Sequence, residues 1–371
     1  MVHERGLEPP RENKFPLAPQ ASASTISPLV HVVARLRAFH FCAEKFHWRG
    51  GGAFFLANTN LSNLFGVFQN VKKSAAILFF LQKLSNFPAR GTLRAMNFSE
   101  KLESAVREKN SCLMLGLDPN ISKMPKFLPK TAAGAQEFCE KILDATHDLI
   151  CGVKIQMAYF EQFGSAGIAA VENLLKKSRD LGLITMIDGK RNDIGATAEA
   201  YAAAYLADGP LGADCCTVNP FLGSDGVLPF VKKCEENDRG IFVLVRTSNP
   251  SALEFQGGKE EISLRVAEKI EEWNITTQSP KNMLSSVGAV IGATIEPDFL
   301  KFFRDEMPHA WFLCPGVGAQ GGSLDAVKNV RVNGLGVLIP VSRSVLYASA
   351  DENFVAAARD EMQKLWELQA D

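Results

Sequence analysis

The chain has 371 residues, 46% of them apolar and 22% charged, with a formal net charge of −1. That length buries a substantial core, and the near-neutral balance provides no basic field, which argues against nucleic acid as a main partner. No run of about 20 apolar residues occurs and Met1 is not followed by a basic-then-apolar signal, so neither a membrane span nor a membrane partner is expected.

Residues 1–95 differ from the rest. They carry 12 Lys/Arg against 4 Asp/Glu, with no Asp and 11 of the 25 Phe, whereas residues 96–371 carry 28 and 37. They show no sustained period, and read as an irregular N-terminal extension. An acid-poor leader with Arg and Ser suits an organelle transit segment; a translation start at Met96 is the plainer alternative, and a small accessory domain a third. Location is accordingly read as cytoplasmic, or organellar if the extension is a genuine transit segment.

From Met96 the pattern changes, beginning with an amphipathic stretch after Asn97. Short apolar runs then alternate with segments of helical period. The predicted strands are Cys112–Leu117, Gly152–Ile155, Ile184–Ile187, Cys215–Val218, Ile241–Val245, Ala289–Gly292, Trp311–Cys314 and Gly336–Pro340. Helical stretches between them include Ala135–His147, Ser165–Leu181, Ala196–Leu206, Ile262–Trp273 and Leu324–Asn329, and a last helix runs from about Asn353 to Leu368. Apolar runs without alternation suit parallel strands covered on both faces. Eight strand–helix repeats over residues 96–371 predict an α/β fold, a (β/α)8 TIM barrel. An open doubly wound sheet is the alternative, which the count of eight disfavours.

Barrel chemistry gathers at the carboxyl ends of the strands, and six of the eight runs end in polar residues. Strand one is followed by Asp118, strand two contains Lys154 with Gln156 beyond it, and strand three ends in Asp188-Gly-Lys190-Arg-Asn-Asp193. Strand five leads to Arg246-Thr247-Ser248-Asn249-Pro250, strand seven to Pro315-Gly-Val-Gly-Ala-Gln320-Gly-Gly, and strand eight to Ser342-Arg343. A bare Asp-x-Lys-x-x-Asp spacing is a weak signal and fits a surface ion-pair cluster; its place after Leu183–Ile187 is what makes it a candidate site. Residues two apart on a strand share a face, and opposite charges that close keep both carboxylates and the ammonium ionised. Such an array suits a reaction in which negative charge appears on carbon and is then protonated, with lysine as general acid. Only His147 and His309 lie beyond residue 95, and neither is at a strand end.

The Gly-rich Pro315–Gly322 segment lets backbone amides approach an anion, and Arg343 adds a bidentate cation. The loops after strands seven and eight are a recurrent phosphate site in barrels; a Gly-rich turn needed only for chain geometry is the plainer reading. The eight cysteines include no Cys-x-x-Cys pair, which predicts reduced thiols and no zinc site. Cys215 and Cys216, inside a strand-like run, read as core residues.

Together these segments resemble the orotidine 5′-monophosphate decarboxylase family, over residues 96–371 and not 1–95. The residues that carry the likeness are Gly116-Leu117-Asp118-Pro119, Lys154, Asp188-x-Lys190-x-x-Asp193-Ile194-x-x-Thr197, Thr247-Ser248-Asn249-Pro250, Pro315 to Gln320 and Ser342-Arg343. The Thr-Ser-Asn-Pro and Pro-Gly-Val-Gly-Ala-Gln forms are similar to one subgroup. The resemblance implies conversion of orotidine 5′-monophosphate to UMP and CO2 without cofactor or metal, by a homodimer with shared sites. It places Lys190 as the donor of a proton to C6 and Asp188 beside the departing carboxylate. Lys154 completes the charge array and contacts the ribose, whose hydroxyls Asp118 holds. Asp193, Ile194 and Thr197 reach into the partner's site, Thr247 and Ser248 contact the base, Pro315 lines the pyrimidine pocket, and Gln320 and Arg343 take the phosphate.

Two positions depart from that pattern. Lys154-Ile155-Gln156 stands where the subgroup has Lys-Pro-Asn, and Gly189 is unusual between the Asp and Lys. Rival readings are a magnesium-dependent barrel such as 3-hexulose-6-phosphate synthase or 3-keto-gulonate-6-phosphate decarboxylase, and a non-catalytic nucleotide-binding regulator. Lys154 and the Thr247–Pro250 segment oppose the first, and the intact charged set opposes the second.

Overall fold

The computed structural model describes residues 96–370 except 258–261, 280, 282 and 319–320. The expectations for residues 1–95 and for Gln320 therefore lie outside the described residues.

Eight parallel strands close into a barrel in sequence order, β1 pairing with both β2 and β8. They are β1 (Leu113–Leu117), β2 (Gly152–Gln156), β3 (Ile184–Arg191), β4 (Cys215–Val218), β5 (Gly240–Arg246), β6 (Val287–Ile291), β7 (Phe312–Leu313) and β8 (Val337–Val341). The open-sheet alternative is thereby excluded. β1, β4, β6, β7 and β8 are buried along their whole length, because helices cover the outside and side chains fill the inside; hence the unbroken apolar runs.

The described helices are α1 (Phe98–Lys109), α2 (Ala132–Thr146), α3 (Ala158–Glu161), α4 (Ser165–Asp180), α5 (Gly195–Leu206), α6 (Ser224–Asn237), α7 (Leu253–Gln256), α8 (Ile262–Asn274), α9 (Pro297–Glu306), α10 (Leu324–Lys328), α11 (Arg343–Leu346) and α12 (Phe354–Ala370). None is long and apolar enough to cross a membrane. Asn97 caps α1 through a reciprocal pair, its side chain accepting from the Glu100 amide while the Glu100 carboxylate accepts from the Asn97 amide.

α1 closes the amino-terminal mouth. Phe98 is 1% exposed and meets Phe242 edge-on, with ring centroids 6.3 Å apart. It fits because Gly240 has no side chain: a Cβ there would lie 2.2 Å from the Phe98 ring. Trp311 donates its indole N–H to Ser99 at 2.9 Å. Above this plug, side chains two apart along each strand continue inward: Ile184, Met186 and Asp188 on β3, Cys215 and Thr217 on β4. The interior thus passes from apolar to charged within one strand length.

Most strand bounds differ from their sequence reading by a residue, and three strands differ in ways that bear on the site or its length. β3 extends four residues beyond Ile187, so Asp188 and Lys190 belong to the strand itself. β6 begins two residues before the expected Ala289, and β7 is only two residues long. The register of β3 on β4 is irregular between Ile187 and Arg191, where the chain bulges.

Candidate active site

The carboxyl-terminal mouth opens into a cavity of about 450 Å³, within the range of small-ligand sites. Asp118, Lys154, Asp188, Lys190, Thr247, Ser248, Pro315 and Arg343 all border it, so eight of the twelve sequence-predicted residues are brought together.

Asp188 is the hub. It is 5% exposed, and each carboxylate oxygen accepts two hydrogen bonds. Oδ2 accepts from Lys154 Nζ at 2.8 Å and Gln156 Nε2 at 3.1 Å. Oδ1 accepts from Lys190 Nζ at 2.5 Å and Thr217 Oγ1 at 2.9 Å. Burial alone would push this carboxyl up, but the Lys154 and Lys190 ammonium groups outweigh it and hold Asp188 well below the usual carboxylate range. Burial likewise opposes charge on Lys154, yet Asp118 and Asp188 overcome it and hold the ammonium above its ordinary value. Both groups stay ionised at neutral pH.

Asp118 stands 3.8 Å from Lys154 Nζ, and its Oδ1 is buried without a hydrogen-bond partner. Tyr347 Oη fixes the loop beneath it, donating to the Asp118 carbonyl at 2.7 Å and accepting from the Asn120 amide at 2.6 Å. A desolvated acceptor on a braced loop is poised for a donor from a ligand.

Across the cavity, the Gly-rich segment folds on itself, with the Gly322 amide donating to the Gly316 carbonyl at 3.0 Å. Gly316 and Gly318 take φ of 103° and 72°, which L side chains rarely adopt. Arg343 makes no ion pair among the described residues, and nearby Ser342 Oγ is buried and unpartnered. An unpaired cation lining the same cavity as Gly316 and Val317 is suited to an anion. Thr247 and Ser248 close one side, and they lie deep enough because residue 292 is glycine: a Cβ would sit 2.8 Å from the Ser248 backbone.

The Orotidine 5'-phosphate decarboxylase / HUMPS family model matches residues 111–359. The chain belongs to this family. The "Orotidine 5'-phosphate decarboxylase" of Roseiflexus castenholzii is 43% identical over 277 residues, covering 73% of this chain and 96% of that protein. The protein of the same name from Rhodopirellula baltica is 41% identical over 282 residues, covering 71% of this chain and 92% of its own. The solved structure of Leishmania donovani OMP decarboxylase aligns with a TM-score of 0.59 at 33% identity, covering 73% of this chain and 100% of that one.

Asp193, Ile194 and Thr197, which the family resemblance assigned to a partner's site, do not border the cavity of their own chain. Ile194 is 54% exposed, and Asp193 Oδ1 accepts from the Ile194 amide at 2.8 Å. The unusual Gln156 reaches Asp188 despite its extra methylene, so the departure from the subgroup keeps an amide contact. Gly189 itself is not in the left-handed region; its neighbour Lys190 is, with φ of 47°.

Sequence reasoning missed Thr217 and Tyr347. Thr217 sits in an apolar run, where spacing does not reveal which hydroxyl meets a carboxylate; Tyr347 lies in no strand-end motif. Among the described residues no group of three or more His, Cys, Asp or Glu is arranged to hold a metal ion. The seven described cysteines are free and buried, and burial raises their thiols, Cys314 to about 12. They are inert core groups, as expected for Cys215 and Cys216.

Proposed function

We propose that this chain decarboxylates orotidine 5′-monophosphate to UMP and CO2, the closing step of UMP synthesis, using its own side chains alone. The observation that carries this reading is the four-donor clamp on Asp188, which presents a fixed carboxylate and two ammonium groups to one end of the cavity. The opposite end offers Arg343 and the Gly-rich loop to a phosphate. The names of the relatives point to the same substrate.

In this reading Arg343, with Gln320, holds the phosphate, Asp118 the ribose hydroxyls and Lys154 the ribose. Thr247, Ser248 and Pro315 hold the pyrimidine. The C6–carboxylate bond breaks, CO2 leaves and the electron pair remains at C6. Lys190 then gives its proton to C6 and is reprotonated from solvent. The pyrimidine offers no electron sink of its own at C6, so positioned charge must stabilise the carbanion. Binding energy from the distant phosphate organises the charged end. The unbroken Lys–Asp–Lys array supports this over a magnesium-dependent relative.

A second copy of the chain would bring Asp193, Ile194 and Thr197 to the open side of the cavity, giving a homodimer with shared sites. A cytoplasmic location, in keeping with free buried thiols, belongs to the same reading.

The test is loss of orotidylate absorbance with the full chain in excess EDTA; turnover is expected, and metal dependence or inactivity would overturn the reading. Sharing of sites is tested by mixing Lys190→Ala with Asp193→Asn. Each alone is expected to be inactive, and an equimolar, randomly reassociated mixture should recover about a quarter of wild-type activity, from mixed dimers with one intact site each; no recovery would exclude shared sites.

A further inference from the structure

Lys190 reaches Asp188 from an unusual backbone. A non-glycine residue at φ of 47° must be held there by its surroundings, and the bulge between Ile187 and Arg191 removes the regular ladder that would otherwise hold it. Thr217 on β4 replaces that ladder contact. Its hydroxyl oxygen accepts the Lys190 backbone N–H at 2.9 Å and donates its own hydrogen to Asp188 Oδ1 at 2.9 Å. The same Asp188 oxygen takes Lys190 Nζ at 2.5 Å. One hydroxyl therefore ties the strained backbone of the lysine to the carboxylate that receives its ammonium.

The geometry is over-determined. Thr217 is 1% exposed, so water cannot easily take the place of either bond. A donating hydroxyl has one hydrogen; with the Lys190 amide already donating to it, that hydrogen is directed to Asp188. Its neighbours Cys216 and Val218 are fully buried core residues that fix β4 on β3 and β5. Arg191, next after the lysine, resumes regular pairing with Val218, and its carbonyl accepts from the Asn219 amide at 3.0 Å. The bulge is thus closed on both sides, with Thr217 at its centre.

We infer that Thr217 is a positioning residue for decarboxylation, holding Lys190 in its left-handed conformation and orienting Asp188 so that the ammonium is aimed at C6. This rests on the proposed reaction. Thr217 borders the cavity, but its hydroxyl is engaged with Lys190 and Asp188, so it acts through them and affects the chemical step more than binding. The proposed phosphate end, at Pro315–Val317 and Arg343, lies on other strands.

The experiment compares kcat for orotidylate and affinity for UMP in the full-length wild type, Thr217→Val and Thr217→Ser. Val keeps the shape and removes both bonds; Ser keeps the hydroxyl. Thr217→Val is expected to lower kcat about 100-fold, as for a misplaced reacting group, while UMP affinity changes less than about threefold. Thr217→Ser is expected to recover kcat to within about fivefold of wild type. A Val variant that keeps its kcat, an equal loss in kcat and UMP affinity, or a Ser variant as slow as Val would each overturn the assignment. Should Thr217→Val not fold, Thr217→Cys, with a poor hydrogen-bonding thiol of similar size, is read by the same criteria. Inactive wild type would overturn the proposed reaction and this role with it; active wild type with an unimpaired Val variant overturns the role alone.

Discussion

The two mouths of the barrel are built by the same strands from opposite materials. At the amino-terminal mouth Phe98 of α1 packs with Phe242 and Trp311, all within 1% exposed. At the carboxyl-terminal mouth the inward positions on β2, β3 and β4 are Lys154, Asp188 and Thr217, also buried but charged or polar. The floor gains stability from apolar burial and shape. The rim holds charges that a stability-driven core would exclude, since buried ion pairs seldom repay their desolvation. A domain that gathers Lys154 and Lys190 with the carboxylates of Asp118 and Asp188 at one mouth is organised there for chemistry. Substitutions at the two ends should therefore separate activity from stability.

The largest effect is expected at the rim. Lys190→Ala should lower kcat by about 10⁴-fold or more, the upper range for a general acid, with UMP binding and the unfolding midpoint nearly unchanged. Substantial residual turnover would remove that lysine from its role. Next comes the floor: Phe98→Ala should cost about 3–5 kcal/mol in denaturant unfolding and leave kcat per folded molecule intact. A loss of kcat without destabilisation would erase the distinction between the mouths. Arg343→Ala should weaken UMP binding by about 2 kcal/mol, as for one charge-assisted contact, measurable by calorimetry.

The smallest effect is in pH dependence. Asp188 has a folded pKa below its unfolded value, so its contribution to stability is present above about pH 4 and is lost as pH falls towards the folded value. Lys154 has a raised pKa, so its contribution is present below about pH 10 and lost as pH rises through the folded value. Neither should titrate between these limits. Denaturant midpoints measured from pH 3 to 7 should fall at the acid end in wild type, and fall less steeply in Asp188→Asn.

Much of this was legible in the sequence because each strand had to be apolar on both faces, and a polar residue ending such a run has few structural reasons to be there. Asp118, Asp188, Lys190 and Arg343 announced themselves in that way. The boundaries were less legible: the last four residues of β3, Asp-Gly-Lys-Arg, look like loop, although the Asp188–Lys154 bond and the pairing of Arg191 with Val218 keep them in the strand. The left-handed backbone of Lys190, supported by Thr217, was not legible either, because residue type and spacing do not reveal a bulge. Gln156 differs from the subgroup residue yet still finds Asp188, because a longer amide on the adjacent strand spans the same gap. Asp193 drew its expected role from the family resemblance alone, and it lies away from the cavity of its own chain.

The most direct test is a stoichiometric one: CO2 released and UMP formed from orotidylate in D2O, by full-length protein stripped with chelator. One CO2 per UMP, deuterium at C6 of the product, and a rate unchanged by added magnesium are expected. Turnover that needs a metal, or product without deuterium at C6, would contradict it.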